Sequence, residues 1–108
     1  MSLVVQKYGG SSVATASKIV TVASRIARTQ KEGAQVAVVV SAMGDTTNDL
    51  IKLAHQVCSE PSPREMDLLL STGELVTSTL MAMALERLGV PAISLGGAQA
   101  GIRTNTAH

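Results

Sequence analysis

The apolar positions fall into two kinds of run. Leu3-Val4-Val5 and Val36-Ala37-Val38-Val39-Val40 are continuous and mostly β-branched, as in strands of a parallel sheet covered on both faces. Between them Ile19, Val22, Ala23, Ile26 and Ala27 recur at i, i+3, i+4, i+7 and i+8, which marks one face of a helix. The pattern predicts a strand over 2–7, a helix from about 15 to 32 and a second strand over 35–41. Thr15 or Ser17 can cap the helix start, and Gly33 can end it. Lys18, Arg25 and Arg28 fall mainly on its solvated side. A strand, helix and strand in this order pair in parallel through a right-handed crossover.

Further on, Leu50, Leu53, Ala54 and Val57 predict a second helix over about 50–57, with Thr46 or Thr47 near its cap. His55 lies off that apolar face and reads as a surface residue. Ser59 to Pro63 is a turn, and Ser62-Pro63-Arg64-Glu65 is a capping box with proline at the first helical position. Ser71-Thr72-Gly73-Glu74 has the same form. Two start signals so close together predict a short helix, a break near 71–73, and a new helix to about Leu88 with Leu75, Thr79, Leu80 and Met83 turned inward. Gly89 and Pro91 end it, and Ala92-Ile93-Ser94-Leu95 is a candidate third strand. The order β-α-β-α-α-β implies a three-layer α/β sheet.

Composition narrows the class. The 108 residues suffice for one domain, and 45% are hydrophobic with Tyr8 the sole aromatic. The core is therefore aliphatic, which suits helices on a parallel sheet. A net charge of +1 gives no reason to expect nucleic acid or an anionic membrane as partner. Cys58 is the only cysteine, which rules out an internal disulfide and fits a reducing, cytoplasmic setting. The run before Lys7 is too short for a signal peptide, and no run is read as long enough to span a membrane.

The candidate chemistry sits in loops at strand ends, where open parallel sheets bind ligands. In Lys7-Tyr8-Gly9-Gly10-Ser11-Ser12, a lysine leaves the strand and two glycines let the backbone approach a ligand closely. Such a turn, with hydroxyls and a helix start following, suits a phosphate or serves as a purely steric turn. It has neither the P-loop nor the dinucleotide-binding glycine spacing. A second loop, Ser41 to Asp49, is rich in small and hydroxylated residues, and a third runs from Gly96 to Gly101. Arg103 to His108 shows no pattern.

Four blocks carry a family resemblance: Val4 to Val13, Val39 to Asn48, Arg64-Glu65-Met66-Asp67 with Ser71-Thr72-Gly73-Glu74, and Gly97 to Ile102. In this order they resemble the aspartate kinases of the amino acid kinase superfamily, over nearly the whole chain. One departure is Gly96, where most relatives carry threonine. The resemblance implies an amino acid kinase-like fold, a three-layer αβα sandwich with a mainly parallel sheet, present only in part. It implies ATP-dependent phosphorylation of the L-aspartate side-chain carboxylate to 4-phospho-L-aspartate, the entry to lysine, threonine and methionine synthesis, with Mg2+ accompanying ATP.

Carried over position by position, the resemblance makes Lys7 the catalytic cation on the transferred phosphoryl group. Gly9, Gly10 and Ser11 match the loop beside the phosphates, and Ser41 matches a nucleotide- or substrate-pocket serine. Thr47 and Glu74 match residues that hold aspartate, Glu74 suiting its α-ammonium. Alternatively Glu74 only closes the capping box with Ser71. No residue is assigned to a metal. Family members are several times longer, so residues 1–108 are expected to be the amino-terminal, substrate-side part of a kinase domain. The nucleotide half and ACT domains would lie elsewhere, and the chain alone would be inactive. A homo-oligomer is expected, with no nucleic-acid or membrane partner. The alternatives are a non-catalytic binding or assembly module with the same fold, or another amino acid kinase such as one acting on acetylglutamate.

Overall fold

The computed structural model describes residues 2–96. Strand β1 (Leu3–Tyr8) leads through helix α1 (Ala16–Lys31) to strand β2 (Gln35–Val40), followed by helices α2 (Thr46–Val57) and α3 (Pro63–Arg87). The strands pair in parallel with Leu3 opposite Gln35 and Tyr8 opposite Val40. Thr15 accepts the Lys18 N–H at 3.3 Å and Ser62 accepts the Glu65 N–H at 3.2 Å, so both predicted caps form. Gly33 and Gly89, at φ of 99° and 80°, follow the ends of α1 and α3, the left-handed conformation in which glycine is least strained.

Along each strand alternate residues are half-buried and exposed. Val36, Val38, Val40 and Tyr8 pack on a core built from Val13, Ile19, Val22, Ala23, Ile26 and Ala27 with Met81, Leu85 and Val90. The five apolar positions read from the helical period are thus the five buried residues of α1. Tyr8 donates from its hydroxyl to Gln6 Oε1 at 2.8 Å, and Gln6 Nε2 donates to Thr29 Oγ1 at 3.1 Å. This chain of bonds ties the sheet to α1.

The opposite sheet face is bare, with Leu3 and Val5 each 66% exposed and Val39 48%. The expectation of cover on both faces fails within the described residues. A helix is about 10 Å across, so a smallest extent of 17 Å holds one helical layer and the sheet, not a third layer. The parallel α/β architecture stands, with two of its three layers in view.

Three other expectations are corrected. Residues 63–87 form one unbroken helix. The second capping box does not form, because Ser71 and Thr72 turn their hydroxyls back to the Leu68 and Leu69 carbonyls. The inward face of α3 carries Gly73, Thr77, Met81 and Leu85, while Leu75, Leu80 and Met83 point outward. A helix apolar all round gives its pattern no direction. At 25 residues, with a mean hydropathy of 1.5 over an 18-residue window, α3 is also long and apolar enough to cross a membrane. The break read at 71–73 had concealed that. Finally, residues 92–95 are not part of the sheet, which has two strands among the described residues. Their burial still alternates, with Ala92 against the core and Ile93 exposed.

Helix α2 starts at Thr46, four residues before the predicted start, behind Asp45, whose side chain makes no capping bond. It has no fully buried residue, and Leu53 and Val57 of its predicted inner face are exposed.

Candidate active site

The site grows from the ends of the two strands. Beyond Tyr8 the turn closes when the Ser12 N–H donates to the Gly9 carbonyl at 3.0 Å. Val13, wholly buried, anchors the turn in the core. Five residues, Ser11 to Thr15, separate the glycines from α1, and the Thr15 side chain already takes one of the amides that open the helix. The start of α1 is thus set back from the glycine turn and has one of its amides already taken.

Two hydrogen bonds join the first loop to the second. Ser41 N–H donates to the Tyr8 carbonyl and Gly44 N–H to the Gly10 carbonyl, both at 3.1 Å. A Cβ on Gly10 would lie 3.0 Å from the Ala42 carbonyl oxygen, so glycine lets the two loops approach more closely than a side chain would without a shift of the Ala42 backbone. Gly44 holds φ at 46°, left-handed like Gly33 and Gly89, though the sequence pattern did not single it out.

The second loop also meets α3. Gly73 packs against Ala42, Thr46 and Leu50. Ser41, Thr47 and Glu74 are the chain neighbours of Ala42, Thr46 and Gly73, so this contact fixes the backbone next to three expected site residues. Lys7, Gly9, Thr47 and Glu74 are exposed, and Ser41 is half-buried. Among the described residues the side chains of Lys7, Ser41, Thr47 and Glu74 enter no hydrogen bond or ion pair. Glu74 is thus not used as a cap. Lys7 continues the exposed alternation of Leu3 and Val5, so it stands on the bare side of the sheet.

On the α1 side of the loop lies a groove of about 310 Å³ lined by Ser11, Ser12, Lys18, Thr21, Val22 and Arg25. Lys18 Nζ donates to the Ser11 carbonyl at 3.1 Å. The first 31 residues carry Lys7, Lys18, Arg25, Arg28 and Lys31 and no acid. The near-neutral total hides a basic end that local charge counting would have found. Among the described residues no group of three His, Cys, Asp or Glu side chains could hold a metal ion. The Gly97–Ile102 block lies outside the described residues.

A parallel sheet with a lysine and a glycine turn at one strand end, a small-residue loop at the next and α3 beside them places its candidate loops at the strand carboxyl ends, where such sheets bind ligands. The model of the amino acid kinase family matches residues 2–108, and the chain belongs to that family. It is 59% identical over all 108 residues to an aspartokinase of Mycobacterium tuberculosis. It is 54% identical to one of Corynebacterium glutamicum and 51% to aspartokinase 2 of Bacillus subtilis. In each case it spans 26% of the relative's length. The crystal structure of aspartate kinase from Synechocystis superposes with a TM-score of 0.85 at 52% identity, covering 87% of this chain and 16% of that one.

Proposed function

We propose that residues 1–108 form the amino-terminal, aspartate-facing part of an aspartate kinase. The reading rests on the meeting of the Lys7 loop, the Ser41 loop and the Thr47 and Glu74 helices around Ala42, within a chain so similar to aspartokinases. In this reading the nucleotide half and the ACT domains lie outside these residues.

The reaction asks little covalent help of the protein. An aspartate side chain is ionised at neutral pH, so its carboxylate oxygen attacks the γ-phosphorus of ATP without a general base. The bond from phosphorus to the bridging oxygen breaks and ADP leaves. Phosphoryl transfer of this kind depends on positioning and on neutralising charge over the phosphoryl oxygens. Lys7, exposed and unpaired, supplies a cation. Gly9, Gly10 and Ser11 let the phosphates lie close to the backbone, and Ser41 stands at the neighbouring strand end, its N–H bonded to the Tyr8 carbonyl. Thr47 offers a hydroxyl and Glu74 a carboxylate for the aspartate α-ammonium. Mg2+ would accompany ATP, and among the described residues no group of three His, Cys, Asp or Glu side chains gathers to hold it.

The partners are L-aspartate, ATP and further copies of the chain, in the cytoplasm. The outer face of α3 is assigned to protein rather than lipid, because Arg64, Glu65, Asp67 and Glu74 interrupt its first half.

Glu74 provides the test. A charge-assisted hydrogen bond is worth about 1.5–3 kcal/mol. Glu74→Gln in an intact enzyme carrying this sequence is therefore expected to raise the KM for aspartate about ten- to a hundredfold. The melting temperature should hold, because an exposed side chain without partners contributes little to stability. A lowered melting temperature with an unchanged KM would assign Glu74 a structural role instead.

A further inference from the structure

Gly73 lies inside a 25-residue helix, where glycine is less favourable than alanine. Helix formation alone would select against it, so the tertiary contact must account for it. A Cβ on Gly73 would lie 2.9 Å from the Ala42 Cβ, 3.2 Å from the Thr46 methyl and 3.7 Å from Leu50 Cδ1. Non-bonded carbons prefer about 3.5–4.0 Å, so even one methyl does not fit without movement. Ala42 is 5% exposed and is held from two sides. Its methyl faces Gly73, and its carbonyl oxygen lies 3.0 Å from where a Gly10 Cβ would be.

The geometry points to Gly73 and Ala42 as positioning residues that set the spacing between the aspartate-holding groups Thr47 and Glu74 and the loop of Ser41. The inference rests on the aspartate kinase reading and extends it to residues that touch no substrate. The two glycines let the first loop and α3 close on Ala42 from two sides, the loop at its carbonyl oxygen and the helix at its methyl. Each converging residue has an expected site residue as its chain neighbour: Gly9 beside Gly10, Ser41 beside Ala42, Thr47 beside Thr46, and Glu74 beside Gly73. Thr77, wholly buried one turn on, donates its hydroxyl to the Gly73 carbonyl at 3.2 Å. That bond leaves no buried polar group wanting a partner on this seam. A methyl at position 73 would push α3 away from the second loop by roughly half an ångström to one ångström, the scale at which misplaced binding groups lose tens of fold in efficiency.

The test is a swap, made in an intact enzyme carrying this sequence and read by steady-state kinetics and thermal melting. Gly73→Ala is expected to raise the KM for aspartate about tenfold, a shift that a merely structural role would not produce in the folded fraction. Adding Ala42→Gly removes the methyl that the new one meets. The double variant is expected to return to within about threefold of wild type, with the Thr46 methyl accounting for the remainder. If Gly73→Ala does not fold, Ala42→Gly alone still reports. It cannot clash, and by loosening the seam it should raise the KM for aspartate about threefold. An active wild type with an unchanged KM in the single variants, or a double variant no better than Gly73→Ala, overturns the positioning role alone. A wild type that phosphorylates no aspartate overturns the functional reading, and the positioning role with it.

Discussion

Lys7→Ala in an intact enzyme carrying this sequence is expected to lower kcat by about a hundred- to a thousandfold while changing the KM for aspartate far less. The reason is where the charge grows. As the carboxylate attacks and ADP departs, negative charge accumulates on oxygens around the transferred phosphorus. A fixed cation that meets this charge only in the transition state lowers the barrier without tightening ground-state binding. Lys7 suits such a role because it stands at the end of β1 beside the glycine turn and, among the described residues, pairs with no carboxylate. Lys7→Arg keeps the charge but not the compact ammonium, so partial recovery is expected. An unchanged kcat in Lys7→Ala would make Lys7 an ordinary surface residue.

The 108-residue chain by itself is expected to self-associate at micromolar concentration, most simply as a two-fold dimer. Two apolar surfaces call for cover. One is the bare sheet face of Leu3, Val5 and Val39, and the other is the outer side of α3, where Leu68 is 63% and Met83 61% exposed. The five hydroxyls of α3, on Ser71, Thr72, Thr77, Ser78 and Thr79, all donate to its own carbonyls. They therefore add little affinity for water to that surface. A net charge of +1 supplies almost no repulsion between copies. Exposed apolar area on this scale marks contact surfaces. Sedimentation equilibrium should return twice the chain mass, and Val76→Glu on α3 or Val5→Glu on the sheet should restore the monomer according to which face is used. A monomer in the unsubstituted chain would mean that these surfaces tolerate water.

The parts of this fold that were legible in the sequence are those where one local rule acts alone. The Val36–Val40 run, the buried stripe of α1 and the Thr15 and Ser62 caps each follow from period or capping chemistry. Helix α3 failed because two rules competed. Ser71 to Glu74 has the composition of a helix start, yet a serine or threonine can equally return its hydroxyl to a carbonyl one turn back. In the unbroken helix Ser71 and Thr72 take the second option, and Gly73 packs closely on Ala42. The inward face of α3 was unreadable because both sides are apolar, for packing inside and for cover outside. The site was legible as loops at strand ends. Their convergence on Ala42 was not, since it depends on contacts between residues about 30 positions apart in sequence, which no local pattern encodes.

The most direct test of the account is product formation by an intact enzyme carrying this sequence. Incubated with ATP, L-aspartate and hydroxylamine, an aspartate kinase yields ADP and aspartyl hydroxamate in equal amounts, because hydroxylamine captures the acyl phosphate. The account predicts that stoichiometry with L-aspartate and none with N-acetyl-L-glutamate. Hydroxamate formed from acetylglutamate alone, or no aspartate-dependent ADP at all, would contradict it.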